Sequence, residues 1–296
     1  MSKFPGYSFN SHFFVLSDGL RYHYVDEQYP RNSGGRSVIL MVHGNPTWSY
    51  MWRNLIMSFR DEYRCVAVDH IGCGLSDKPS EAVYQYTLQR RIDDLVEFVE
   101  GRDLRRVTLV GHDWGGVIGV GAALRMPERV DRFVLMNTAA FGEMSCPFRI
   151  RLCRVPFLGR FLVQGLNAFS LGTMIMAIAQ RRHLPKEVRR AFIAPYDSWS
   201  NRLAVYKFIQ DIPLSPNHPS YPTIAAIEKD LLSLVSKQMC FIWGMQDWCF
   251  SPEFLKRFLQ LFPDADVHRL DNAHHLLLED APEEVIAAIS KFLKKQ

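Results

Sequence analysis

Short apolar runs recur along the chain and constrain its fold more than any other feature. They have the length and residue types of strands buried on both faces of a parallel sheet. The runs in the first half are VILMV (38–42), CVAVD (65–69), VTLVG (107–111) and FVLMN (133–137). Segments with helical spacing, 87–100 and 116–130, lie between them. This alternation predicts an α/β fold whose sheet has helices on both faces, with a ligand site at the carboxyl ends of the strands.

Four further segments complete the predicted sheet. Two precede the first buried run, HFFVLS (12–17) and LRYHYVDE (20–27), and the turn residues Asp18 and Gly19 join them. Two come late in the chain, MCFIWG (239–244) and ADVHRLDN (265–272), with an amphipathic helix between them and another after them. We therefore expect a mostly parallel sheet of eight strands.

The alternation of strands and helices stops at Ala139 and resumes after Ile227. The intervening segment has apolar, helix-like stretches broken by prolines, so we expect residues 139–227 to form a helical cap inserted into one α/β core of residues 1–138 and 228–296. Within it, Phe161–Gln180 has no charged residue over a length that could span a bilayer. Seven polar or glycine positions dilute this stretch, which favours a pocket-lining helix and loop and leaves a membrane-adhering or oligomer-forming surface as the alternative.

The small net charge of the chain argues against a nucleic acid partner. A net charge of +4 over 296 residues is small, so we expect no nucleic acid partner. The six cysteines form no Cys-x-x-Cys pair, and the N-terminus has no basic region followed by an apolar one. Together these two observations predict that the protein is located in the cytoplasm.

A basic cluster in the cap consists of Arg149, Arg151, Arg154 and Arg160. It is interpreted as a solvated face, with a contact to acidic lipid or to another subunit as the alternative.

The strand VTLV continues directly into GHDWGG (111–116) and then into a helix rich in small residues. A strand, a tight glycine turn and a helix form a nucleophile elbow, in which the central side chain is exposed at the top of the sheet. That residue is Asp113 rather than a serine. Because a Gly-x-Asp-x-Gly turn is often only a turn, the motif needs support from elsewhere in the chain.

Other strand ends supply that support. His43-Gly44-Asn45-Pro46 follows VILMV, where a backbone N–H would complete an oxyanion hole. Asp247 follows MCFIWG, and two histidines follow the last strand. Asp113, Asp247 and a histidine occur in the chain order nucleophile, acid, histidine that is typical of such a fold.

Across nearly its whole length the sequence resembles the haloalkane dehalogenase family of α/β-hydrolases. The motifs that carry the resemblance are HGNP (43–46), the loop DHIGCGLSDKP (69–79), GHDWGG (111–116) and a histidine before an apolar run that ends in Glu279-Asp280. Asn45 together with Trp114, and an aspartate as the late acid, is similar to the third subfamily, which also contains the β-lactone decarboxylases of long-chain olefin biosynthesis. The family's histidine lies four residues before the glutamate, which identifies His275 rather than His274.

The resemblance implies a mechanism without cofactor or metal. The Asp113 carboxylate would displace halide from a haloalkane and form an alkyl ester, while the Trp114 indole N–H and the Asn45 amide bind the departing halide. His275, oriented by Asp247, would activate the water that hydrolyses the ester, and the backbone N–H groups of Asn45 and Trp114 would bind the oxyanion. The expected partners are a small apolar substrate and water, with halide as a product, and a homo-oligomer and a peripheral membrane contact stay open.

Three alternatives remain at this point. The same aspartate could open a β-lactone, with loss of CO₂ giving a long-chain alkene. Epoxide hydrolysis would require cap acids, for which Tyr196 and Tyr206 are available. A non-enzymatic receptor on a hydrolase fold would be expected to lose part of the triad, which is complete here. Eight aromatic and apolar residues of the cap are candidates for the wall of an apolar pocket, although core packing is the favoured alternative for each one: Phe148, Phe157, Phe161, Leu162, Phe169, Trp199, Phe208 and Ile212.

Overall fold

The computed structural model describes residues 4–28, 37–143, 146–179 and 184–295. Eight strands form one sheet in the order β1-β2-β4-β3-β5-β6-β7-β8. The second strand is antiparallel to both of its neighbours, and every other pair is parallel. The strands are β1 (His12–Val15), β2 (Arg21–Glu27), β3 (Val38–Val42), β4 (Arg64–Val68), β5 (Val107–Asp113), β6 (Val130–Thr138), β7 (Gln238–Gly244) and β8 (Asp266–Leu270). The prediction of a mostly parallel, eight-stranded α/β sheet is confirmed.

Helices cover both faces of the sheet because the central strands are apolar on both sides. In β3, Leu40 and Val42 belong to one buried cluster, while Ile39 and Met41 belong to another on the opposite face. The helices are α1 (Arg53–Phe59), α2 (Leu88–Gly101), α3 (Trp114–Arg125), α4 (Phe148–Leu152), α5 (Leu158–Arg160), α6 (Ala168–Met176), α7 (Lys186–Ile193), α8 (Leu203–Gln210), α9 (Tyr221–Asp230), α10 (Pro252–Leu261), α11 (Leu277–Asp280) and α12 (Pro282–Leu293).

The segment between β6 and β7 contains only helices and turns in the part that the structure describes. It has its own small cluster of buried apolar residues, among them Val163, Val205 and Ile209. The limits of the predicted cap, 139–227, stay a prediction. The long uncharged stretch of the sequence forms a π-helical turn (Phe161–Gly165) and α6, and Gln180 lies outside the described residues. No described helix combines the length and apolar character needed to cross a bilayer.

Candidate active site

Asp113 lies on a strained turn at the end of β5, directly before α3. Its φ of 54° and ψ of −129° place it in a region that residues other than glycine rarely adopt. The turn also requires Gly115, because a Cβ there would lie 1.9 Å from the carbonyl oxygen of Val42. The tight turn therefore depends on glycine at position 115, and it holds the Asp113 side chain at the carboxyl edge of the sheet, as the elbow motif predicts.

Backbone N–H groups bind the Asp113 carboxylate. The N–H of Asn45 donates to Oδ1 over 2.7 Å, and the N–H of Trp114 is a second backbone donor to the carboxylate. A Cβ on Gly44 would lie 2.0 Å from Oδ1, so only glycine leaves room for the carboxylate. With Oδ1 held in this way, Oδ2 faces His275, whose Nε2 is 3.7 Å away.

A chain of buried hydrogen bonds fixes the imidazole of His275. Its Nδ1 is 2.8 Å from Oδ2 of Asp247. The same oxygen accepts a hydrogen bond from Nδ2 of Asn137 (2.9 Å), and Oδ1 of Asp247 accepts one from the N–H of Cys249 (2.7 Å). Asp113, His275 and Asp247 come from three distant parts of the chain, and the structure brings them together in the predicted order.

The electrostatics of the three groups follow from burial and mutual contact. Burial raises the pKa of Asp113, although His275 and the backbone N–H groups of Trp114 and Asn45 partly offset this. Burial alone would lower the pKa of His275, but the charge and hydrogen bond of Asp247, with the charge of Asp113, raise this pKa above its ordinary value. Burial likewise opposes ionisation of Asp247, yet His275 and the donors around it hold the pKa of this carboxyl below its usual range. Asp247 is therefore ionised at neutral pH.

The two neighbouring histidines have different surroundings. His275 contacts both carboxylates of the site, whereas the backbone N–H of His274 donates to Oδ2 of Asp280 over 2.8 Å, and the ring atom Nδ1 of His274 is buried without a hydrogen-bond partner. The geometry therefore supports His275.

Three residues that the sequence interpretation missed hold His275 in place. Nε2 of His112 donates to the carbonyl oxygen of His275 over 2.8 Å, and burial lowers the pKa of His112 to about 3, which keeps this ring neutral. The ring of Phe250 stacks on that of His275 with centroids 5.8 Å apart. Asn137, which fixes Asp247, is the last but one residue of β6, at the carboxyl edge of the sheet where the site of a parallel sheet is expected.

A buried ion pair fixes the segment that follows His275. Nη1 and Nη2 of Arg53 donate to the two carboxylate oxygens of Glu279 over 2.6 and 2.8 Å. Both side chains are almost completely buried, so the pair ties α1 to the chain directly after the catalytic candidate.

The two residues predicted to bind a leaving group both line a cavity beside Asp113. The ring of Trp114 packs against Phe208, with centroids 5.3 Å apart. Nδ2 of Asn45 donates over 3.2 Å to the carbonyl oxygen of Val205 in α8, and its Oδ1 is buried without a partner. One of the two amide hydrogens of Asn45 is thus used by the cap backbone, which the sequence did not indicate.

The cavity has a volume of about 360 Å³ and is lined mainly by apolar side chains. Of the predicted wall residues, Leu162, Phe169 and Ile212 line it. The other five do not: Phe148, Phe157, Phe161 and Trp199 are exposed at the surface, and Phe208 is buried behind Trp114. These five residues were only candidates, since aromatic character in the sequence does not distinguish a pocket wall from an outer surface or a packed core. Wall residues that the sequence interpretation missed include Phe141, Ile150, Ile209, Phe250 and Phe254.

The two cap tyrosines do not lie where an epoxide hydrolase would need them. The hydroxyl of Tyr196 donates to the carbonyl oxygen of Thr47 and is fully buried, and among the described residues neither Tyr196 nor Tyr206 lines the cavity. Within those residues no group of three histidines, cysteines or carboxylates is arranged to hold a metal ion.

The predicted solvated basic face is only partly solvated. Arg149 and Arg151 are exposed, but Arg154 donates to the backbone of α8, and Arg160 donates to Gln164 and pairs with Glu81. Two of the four arginines therefore stabilise the packing of the cap.

Comparison with known proteins identifies the relatives of this chain. The family model described as alpha/beta hydrolase fold matches residues 37–282. The chain is 40% identical to cis-3-alkyl-4-alkyloxetan-2-one decarboxylases of Shewanella oneidensis (95% of this chain, 87% of the relative) and of Xanthomonas campestris pv. campestris (99% and 98%). It is 33% identical to haloalkane dehalogenase 2 of Mycobacterium tuberculosis (96% and 94%). Among solved structures, haloalkane dehalogenase DbeA from Bradyrhizobium elkani superposes with a TM-score of 0.84 at 24% identity, covering 97% of this chain and 99% of that one.

Proposed function

Because the chain belongs to the α/β-hydrolase family, and within it to the haloalkane dehalogenase family, we propose that Asp113 attacks an electrophilic carbon, here that of a cis-3,4-dialkyl β-lactone, and that the products are an alkene and CO₂. The observation that carries this choice over dehalogenation is the greater identity to the oxetanone decarboxylases, 40% against 33%, at nearly full coverage of the chain.

In the first step, one oxygen of the Asp113 carboxylate attacks the lactone. Oδ1 of Asp113 is bound by the N–H of Asn45, so Oδ2 is the attacking atom. An ionised carboxylate attacks without a base. Attack on C4 of the lactone forms a bond from Oδ2 to C4 and breaks the bond from C4 to the ring oxygen, which relieves the strain of the four-membered ring. The product is an alkyl ester of Asp113 with a free carboxylate on C3 of the former ring.

The donors that a dehalogenase would use for halide suit this new carboxylate. The indole N–H of Trp114 and the second N–H of the Asn45 amide are the candidate donors, and both residues line the cavity. In an apolar site such donors stabilise developing negative charge much more than they would in water.

The second step regenerates the enzyme without water. The bond from C3 to the carboxylate carbon breaks and its electron pair forms the C3–C4 double bond, while the bond from C4 to Oδ2 breaks and returns the electrons to Asp113. Attack inverts C4, and an antiperiplanar fragmentation then gives a cis alkene from a cis lactone. No proton is removed in either step, so His275 acts by its charge, and the apolar cavity protects the ester from hydrolysis.

Dehalogenation is the second candidate, because Asn45 and Trp114, which line the cavity beside Asp113, could bind a departing halide as well as they could bind the carboxylate. In that reaction water must attack the ester carbonyl carbon, and neutral His275 must accept the proton. The overall change is haloalkane plus water to alcohol, halide and a proton.

Product analysis separates the two candidates. We expect a cis-3,4-dialkyl β-lactone to give cis alkene and CO₂ in equal amounts, at a rate far above that of bromide release from a 1-bromoalkane of similar length. Asp113→Asn should abolish both activities, whereas Asp271→Asn, at an exposed turn, should leave them unchanged. Faster bromide release than alkene formation would favour dehalogenation, and unchanged turnover by the Asp113 variant would refute both mechanisms.

A further inference from the structure

Apolar side chains cover the outside of α4, α5, α6 and the π-helical turn between the last two. Phe148 is 78% exposed and Phe157 is 91% exposed. Leu152, Phe161, Leu171 and Ile175 are exposed on the same segment, and α5 and α6 both pack against the π-helical turn. We call these six side chains the cap face. An exposed apolar surface of this kind indicates an interaction site, because soluble proteins rarely expose so many large apolar side chains together.

The charge of the same segment indicates the chemistry of what it contacts. From residue 144 to residue 186 the sequence has no aspartate or glutamate but has six arginines and one lysine. The whole chain carries +4, so the remainder has a net charge of −3. Exposed phenylalanine and leucine beside arginine, on a segment that has no acidic residue of its own, is the pattern of surfaces that lie in the headgroup region of anionic bilayers.

We propose that the cap face docks on the surface of an anionic bilayer. The protein would lie on the membrane, with Phe148 and Phe157 inserted below the headgroups and the exposed Arg151 near the lipid phosphates.

The substrate cavity reaches the same surface. Leu152 and Met176 line the cavity and are also exposed, and Arg149 is both a wall residue and part of the basic segment. Docking would therefore place the cavity wall against lipid, where a long-chain apolar substrate and a hydrocarbon product are dissolved. The uptake of substrate from lipid and the release of product into it rest on the proposed function, whereas the docking itself does not.

A second copy of the chain fits the cap face less well than a bilayer does. In a symmetric dimer the same surface contacts itself, so arginines would face arginines with no carboxylate from residues 144–186 between them. Such juxtaposition of like charges opposes association. Anionic lipid supplies the missing negative charge.

Co-sedimentation with vesicles tests the proposal directly. We expect the protein to sediment with vesicles of equal parts phosphatidylcholine and phosphatidylglycerol, and much less with phosphatidylcholine alone or at high salt. Phe148→Ser combined with Phe157→Ser should weaken binding by about a hundredfold, roughly tenfold for each phenylalanine withdrawn from the apolar region. Arg151→Glu should weaken binding to the anionic vesicles in particular, while Phe13→Ser, a partly exposed aromatic on β1, is the matched control.

Three results would overturn the proposal. The first is the absence of sedimentation with anionic vesicles, and the second is equal sedimentation of the double variant. The third is an oligomer, measured by light scattering, that the double variant dissociates while the wild-type protein fails to bind vesicles, since the occupant would then be a second copy. Vesicle binding without alkene formation would leave the docking intact and refute the proposed function.

Discussion

Replacing Asp247 by asparagine separates a reaction that needs a base from one that does not. The Asp247 carboxylate is buried and accepts three hydrogen bonds, from His275 and Asn137 on Oδ2 and from the N–H of Cys249 on Oδ1. An asparagine that keeps its oxygen toward His275 and Asn137 turns its NH₂ toward the N–H of Cys249. One hydrogen bond is lost and a buried donor is left unpaired, which should reduce the free energy of unfolding by about 1–3 kcal/mol.

The effect on catalysis depends on the reaction. Without the charge of Asp247 the pKa of His275 falls, and the imidazolium that forms when His275 accepts a proton is no longer stabilised. A step in which the histidine deprotonates water should slow by about 10⁴-fold, roughly 5 kcal/mol in the barrier. Alkene formation removes no proton, so we expect Asp247→Asn to reduce it by about tenfold, through loss of the charge that His275 carries beside Asp113.

The assay is the initial rate of alkene formation from a β-lactone, measured by gas chromatography, with thermal unfolding recorded in parallel. With a 1-bromoalkane, any ester formed on Asp113 of the variant should persist and appear as added mass on the protein. A fall in alkene formation of about 10⁴-fold, equal to the loss of ester hydrolysis, would refute the reasoning.

The remaining predictions concern the nucleophile and the fold around it. Gly44→Ala should reduce alkene formation by at least about a thousandfold, because the new Cβ would lie 2.0 Å from Oδ1 of Asp113. The control is Gly142→Ala, whose new Cβ has only a contact at 3.6 Å, and it should have wild-type activity and an unchanged circular dichroism spectrum. Lowering the pH through the pKa of Asp113, which burial raises, should abolish alkene formation, since the attacking carboxylate must be ionised; a rate that is constant across this acid range would contradict the assignment. Arg53→Ala should lower the free energy of unfolding by about 3–5 kcal/mol, because it leaves a buried carboxylate unpaired, while Arg105→Ala, which breaks an exposed pair, should cost less than about 1 kcal/mol in chemical denaturation.

The sheet was predictable because its central strands are continuously apolar. All eight strands lie where the sequence predicts them, although β6 begins at Val130 rather than Phe133. Its first residues include the exposed Asp131, so they do not have the pattern of a buried strand. The helix α1 was not predicted, because it is short and its first residue, Arg53, is buried through an ion pair rather than by apolar character.

The candidate site was predictable because parallel strands end at one edge of the sheet, which brings Asp113, Asp247 and His275 together from distant positions. The wall of the cavity was not. Phe157 and Phe169 are equally aromatic in the sequence, yet one is exposed and the other lines the cavity, since the orientation of each short cap helix depends on tertiary packing. The hydrogen bond from Asn45 to the backbone of Val205 depends on the same packing.

The central claim is that Asp113 opens the lactone and is regenerated without hydrolysis. The most direct test is whether oxygen from water enters the Asp113 carboxylate during turnover. A single turnover in H₂¹⁸O, followed by mass spectrometry of the peptide that contains Asp113, measures it. The mechanism predicts cis alkene and CO₂ in equal amounts and an Asp113 peptide of unchanged mass. Incorporation of ¹⁸O into Asp113, with a 3-hydroxy acid as the main product, would contradict it.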